Sequence, residues 1–322
     1  MAGKYRAWPI ITNHDGDLLM WWNAGPQHFY DTARSIWTQR GNYRNWGAAE
    51  QIVSDPLRDD RVHSAGVDLS GNPCMWLSGR TEDGAYVGTF QFWRETLGTW
   101  AQVVEYPRDG WGDFPATQIH GFLAVPGFGL IAHTHGRHQY GIVYSTDGGD
   151  TWGKIRLPIE STAIPFRHPV EGQFCLLADG TILCLLRNDV GGEPMWQAHV
   201  PPSGDPTDPD DWVIQVTNID DPNRSPAHPM FHDGNLNLYY VDRSTGRLLW
   251  RHVTDPATII ADPTAWPAPV VLRDGIDTGS GNIDAGYVYG VRDDGANHLV
   301  WYEVTAAGST DIFFGRHPNT VP

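Results

Sequence analysis

The densest run of chemically able side chains is His133-Thr134-His135-Gly136-Arg137-His138, with His120 upstream. In a strand, successive side chains point to opposite faces, so His133 and His135 would share one. Imidazoles gathered on a face can bind a metal or move protons near neutral pH, and they can equally line a polar loop bonded to backbone. Aromatic rings are the second resource: the chain holds 15 Trp, whose faces stack on sugar rings and also fill cores. The acidic turn from Asp205 to Asp211 has the oxygen ligands for Ca²⁺, but Asp is a common turn former, so no metal or cofactor is assigned.

Such residues need a frame, and the chain repeats itself. Turn glycines between apolar, alternating segments fall at Gly16, Gly71, Gly127, Gly180, Gly234 and Gly295, in steps of 55, 56, 53, 54 and 61. A tryptophan follows about half a unit later at Trp46, Trp100, Trp152, Trp212 and Trp266. Each unit reads as one hairpin around Asp-Gly or a similar turn and a second hairpin ending at the Trp. The runs Leu18 to Trp22, Leu236 to Val241 and His298 to Val304 have strand character. Four strands in about 50 residues make a propeller blade. The expected fold is therefore all-β, a six-bladed β-propeller of four-stranded antiparallel blades, with residues 1–322 as a single domain. A sandwich would not repeat over so long a period, and a β-helix would repeat over a shorter one. The sixth unit has no matching Trp before Pro322, so its outer strand is either absent or supplied by the N-terminus. In Cys175 to Cys184, a two-residue Asp179-Gly180 turn would set the two thiols opposite each other, buried and reduced.

One local motif is sharp. Ser145-Thr146-Asp147-Gly148-Gly149-Asp150-Thr151-Trp152 matches Ser-x-Asp-x-Gly-x-Thr-Trp, the Asp box (BNR repeat) of sialidases and related propellers, and the chain resembles that superfamily. Asp boxes are structural in it, so this motif speaks for fold. Eroded copies run from Ser35 to Trp46 and up to Gly98-Thr99-Trp100. Tyr5-Arg6-Ala7-Trp8-Pro9 is similar to the family's opening Tyr/Phe-Arg-Ile-Pro, which makes Arg6 the first arginine of a carboxylate-binding triad. Asp31-Thr32-Ala33-Arg34-Ser35 resembles the segment with the acid/base Asp, a role that falls to Asp31. The stretch from Glu171 through Leu177-Ala178-Asp179-Gly180 to Arg187 is similar to the strand pair that carries the nucleophile's carboxylate partner and the second arginine. Arg247 is the third arginine, with Arg243 a competitor. Asp284-Ala285-Gly286-Tyr287 resembles the nucleophile strand, giving Tyr287, with Tyr289 next. Ala7-Trp8 and the surroundings of Tyr287 depart from the family pattern.

What the resemblance implies is a glycosidase for an acidic or decorated glycan. Three guanidinium forks would grip a carboxylate, Glu171 would draw the proton from Tyr287, and Asp31 would protonate the leaving oxygen. Two other functions compete. One is a glycan-binding propeller without catalysis, such as a phage tail receptor-binding protein, with virion or homo-oligomer partners. The other is a polysaccharide lyase using His120, His133, His135 and His138, since that cluster is similar to the His, Tyr and Arg sites of propeller lyases. The formal charge of −16 argues against nucleic acid and anionic membranes as partners. With no long apolar run and no basic-then-apolar start, the expectation is a soluble chain without a signal peptide, cytoplasmic or virion-associated.

Overall fold

The computed structural model describes residues 5–26, 34–54, 59–80, 89–108, 111–112, 114, 116–136, 139–159, 169–188, 193–220, 225–279, 285–306 and 309–318. They form six antiparallel meanders in chain order, the fold class of a six-bladed β-propeller. The chain divides into two compact units, one of residues 1–108 with 276–322 and one of residues 109–275.

The first unit holds three sheets. Sheet 1 is β1 (Tyr5–His14), β2 (Asp17–Gly25), β3 (Ser35–Gly41) and β4 (Glu50–Ser54). Sheet 2 is β5 (Asp59–Val67), β6 (Pro73–Arg80), β7 (Thr89–Thr96) and β8 (Thr99–Pro107). Sheet 6 is β21 (Val288–Asp293), β22 (Ala296–Ala306) and β23 (Ser309–Pro318), three strands among the described residues. The N-terminal strand β1 is the first strand of sheet 1 and does not complete sheet 6. It lies beside that sheet: the Thr310 hydroxyl accepts from the Arg6 amide and donates to the Arg6 carbonyl. Asn23, wholly buried, does the same work between sheets 1 and 2, its amide bonding both the Val62 N–H and C=O at 3.0 Å.

The second unit holds the other three. Sheet 3 is β9 (Gln118–Val125), β10 (Gly129–Gly136), β11 (Gln139–Ser145) and β12 (Gly153–Arg156). Sheet 4 is β13 (Pro169–Leu176), β14 (Ile182–Asn188), β15 (Trp196–Val200) and β16 (Val213–Val216). Sheet 5 is β17 (His228–His232), β18 (Asn235–Asp242), β19 (Arg247–Val253) and β20 (Val270–Arg273), with a short helix α1 (Pro256–Ala261) capped by Asp255 before β20.

All six turn glycines have left-handed backbone, with φ from 71 to 95°. At Asp15-Gly16, Asp233-Gly234 and Asp294-Gly295 both residues are left-handed and the flanking residues pair directly, the two-residue turn whose twist suits a hairpin. The Asp179-Gly180 hairpin differs. Its turn spans Leu177 to Thr181, Leu176 pairs with Ile182, and the register moves by one residue. Cys175 therefore faces Leu183 and Cys184 faces Phe174. A one-residue slip sends side chains to opposite faces, so the thiols are buried in different core clusters and are not cross-strand neighbours.

The Asp box is a hydrogen-bonded hairpin turn. Ser145 Oγ donates to Asp147 and accepts from Gly149 N–H, Asp147 accepts from the Thr151 amide and hydroxyl, and Trp152 Nε1 donates to Gly149 C=O. Burial opposes ionisation of Asp147, but the bonds from Thr151 and Ser145 win and lower its pKa to about 2. Trp152, Trp212 and Trp266 are buried, and Trp46 and Trp100 partly so. No helix among the described residues is long and apolar enough to cross a membrane.

Candidate functional site

The sheet ends opposite the glycine turns are irregular. Near the start of its first strand, each of four sheets carries a register shift: at Ala7/Ile10, at Val62/Ser64, opposite Ile131/His133, and at Val170/Gln173. A bulge adds a residue to one strand and re-aims its side chain, and bulges gather beside functional sites. In three of them the inserted residue is left-handed: Trp8 (φ 51°), Gly121 (φ 61°) and Glu171 (φ 54°). For Trp and Glu that conformation costs about 1–2 kcal/mol, which surrounding contacts must offset.

In the second unit the bulges of β9 and β13 interlock. A Cβ on Gly121 would meet Gly172 O at 2.6 Å, and one on Gly172 would meet the His133 ring at 2.7 Å. Glycine at both positions lets the two strands approach this closely. Gly172 N–H donates to His133 Nδ1 at 3.1 Å, so neutral His133 carries its proton on Nε2, for which the described residues offer no hydrogen-bond partner. His120 and His135 stack at 5.2 Å, and His133 and His135 at 5.9 Å. Glu171 Oε2 accepts from Arg187 Nη1 at 2.5 Å, with the two side chains 10% and 14% exposed.

These groups feel one another. Burial drives the His120 pKa down to about 3; Glu171 pulls it back up, while His135 and Arg187 push it lower. Burial, then the neighbouring imidazoles, hold His133 well below the ordinary histidine value. Both are neutral at pH 7. No group of His, Cys, Asp and Glu among the described residues is arranged to hold a metal ion. His120, His133, His135, Glu171 and Arg187 are thus one polar cluster built on β9, β10, β13 and β14, which joins two sets of residues that the sequence suggested separately.

In the first unit the corresponding sheet ends hold a different cluster. The Trp8 ring lies under the Arg34 and Arg61 guanidiniums at 5.2 and 5.0 Å and meets His63 edge-on at 4.8 Å. Asp59 binds both arginines, Arg61 at 2.8 Å, and all three are almost fully buried. Tyr5 touches both Trp8 and Tyr302, and Tyr302 stacks on Tyr287 at 5.9 Å. Tyr287 stands just before β21, buried, and Tyr289 is buried within that strand. Arg34, Asp59 and Arg61 went unnoticed in the sequence. Their only signal is charge where strands begin: Arg34 just before β3, and Asp59-Asp60-Arg61 opening β5.

Two predicted arginines stand elsewhere. Arg6, 45% exposed, pairs with Asp311 of β23 at 3.2 Å, and Arg247, 48% exposed, pairs with Asp274 at 2.7 Å. Asp31 and His138 lie outside the described residues.

A protein of unknown function from Dyadobacter fermentans superposes with a TM-score of 0.78 at 16% identity, over 97% of this chain and 94% of that one. The phage phi92 endosialidase superposes with a TM-score of 0.75 at 9% identity, over 99% of this chain and 68% of that one. The fold is a sialidase-like β-propeller. The Trypanosoma rangeli sialidase, solved as a covalent intermediate with 2,3-difluorosialic acid, matches at 0.65 and 12% identity over 96% of this chain, which spans 53% of that enzyme. No family model matches the sequence, and no curated protein matches it.

Proposed function

We propose that this chain is a sialidase-like glycoside hydrolase for an acidic glycan, with Glu171 and Arg187 at its centre. One observation carries the reading: a carboxylate presented by a strained bulge and bonded to a guanidinium that stays partly exposed. A planar guanidinium can hold a substrate carboxylate through paired bonds that Lys cannot reproduce. Beside them Tyr287 is the nucleophile, with Glu171 as its base, and Asp31 is the acid/base, the roles that the resemblance gives them. Sialidases and an endosialidase among the structural neighbours support the same choice.

His120 suits elimination poorly. A lyase base must take a proton from carbon beside a uronate, and an imidazole with a pKa of about 3 is a weak base for that step. The test is product analysis after incubation with sialyllactose, polysialic acid and uronate polysaccharides. New reducing ends without ultraviolet absorbance are expected, and Arg187→Ala and Tyr287→Phe should each abolish them with the circular dichroism spectrum unchanged. Full turnover in both variants rejects the assignment. Absorbing, unsaturated products would make the chain a lyase. Retention of glycan without any product would make it a binding propeller of the phage receptor-binding kind.

A further inference from the structure

Arg6 points to a second site. Within the first unit, a groove between sheet 1 and β23 has a volume of about 240 Å³ and is lined by Trp22, Trp46, Phe314, Arg6 and Gln39, with Met20 and Ile312. Its aromatic walls are braced from behind. Trp22 stacks on Trp37 at 6.4 Å with the rings 17° apart, and Trp46 meets Phe314 edge-on at 5.7 Å. Gln39 Nε2 donates to Gly47 C=O at 2.7 Å, and Gly47 N–H donates to Arg40 C=O at 2.8 Å, which fixes the segment that carries Trp46. The polar part is an ion pair whose two members are about half exposed, Arg6 and Asp311.

A pyranose ring has an apolar C–H face and an edge of hydroxyls. Indole and phenyl walls suit the face. The edge needs donors and acceptors side by side, which a guanidinium beside a carboxylate provides. A lone arginine would select an anion, but Asp311 already answers the charge of Arg6. The groove is smaller than the ~300–1,000 Å³ of sites for drug-sized ligands, so it takes one ring of a glycan and not a length of chain.

We propose that this groove binds a single neutral pyranose ring, as an anchoring site made of none of the residues at the Glu171 cluster. It does not depend on turnover: a chain that cleaves nothing would still bind there. The test is saturation-transfer NMR on the intact chain, with methyl β-galactopyranoside and methyl α-glucopyranoside as probes and N-acetylneuraminic acid as the charged comparison. Ring protons of at least one neutral glycoside should saturate, with a Kd on the order of 1 mM. Trp46→Ala should weaken that binding roughly five-fold or more through loss of a stacking wall, whereas Glu171→Gln should leave it unchanged while removing turnover. Asp311→Ala, a variant that keeps every aromatic wall, should weaken the neutral glycoside and strengthen N-acetylneuraminic acid. Absence of saturation for both neutral glycosides overturns the proposal. So does saturation indifferent to both Trp46→Ala and Asp311→Ala.

Discussion

The bulges of β1 and β13 use the same backbone device for different ends. Each inserts a left-handed residue near the start of the first strand of its sheet. In β1 that residue is Trp8, an aromatic plate that meets the guanidiniums of Arg34 and Arg61, with Asp59 bridging both cations and almost nothing exposed. In β13 it is Glu171, a charged group bonded to an Arg187 that still meets solvent, beside imidazoles kept neutral. A closed network of charges holds structure together, because each ion depends on its partner in a dry setting. A half-open pair can exchange its partner for a ligand. The contrast fits the first bulge to architecture and, under the function proposed above, the second to chemistry.

The largest expected effect tests the closed network. Arg34→Ala leaves Asp59 with one cation in the core and should cost about 3–5 kcal/mol in urea unfolding, whereas Arg187→Ala should cost about 1–3 kcal/mol and abolish turnover. Equal losses of stability would break the distinction between the two bulges. A smaller effect follows from acid. His120 titrates at about 3 in the folded chain and at ~6.5 unfolded, so between those values the unfolded chain binds the extra proton. Stability from this residue is full above the unfolded value and drains away as pH falls through that window. The urea midpoint should drop below pH ~6.5, and less steeply in His120→Gln. An identical pH profile in that variant would remove His120 from the cluster's account. The smallest effect is Glu171→Gly: relief of about 1–2 kcal/mol of backbone strain should nearly offset the lost ion pair, giving a melting temperature close to the parent's with no turnover. A large destabilisation would mean that the bulge, like that at Trp8, is chiefly structural.

The turn ends of the sheets were legible because their physics is local. Gly16, Gly234 and Gly295 after an Asp, and the Asp-box residues from Ser145 to Trp152, form turns whose geometry is encoded within a few positions. Six evenly spaced turns then gave the six sheets. The opposite ends were legible only in part. The strand pair that carries Glu171 and Arg187 followed from a hairpin, but the company of Glu171 with His120 and His133 depends on glycines that let β9 and β13 meet, a tertiary contact without a sequence signature. Arg34 and Asp59 are separated by the two strands β3 and β4, and no motif pairs them; Arg6, carried over by resemblance, alternates with the buried Tyr5 and turns to Asp311. The Cys175 register failed because an Asp-Gly pair also fits a wider turn.

The hydroxyl of Thr310 clasps the backbone of a residue 304 positions earlier. During synthesis the stretch 109–275 leaves the ribosome as one continuous run and can collapse at once. The opening sheets must wait, without their last neighbour, until β21 to β23 arrive. Contacts so remote in sequence form slowly, so this clasp makes sheet 1 among the last parts of its unit to be secured.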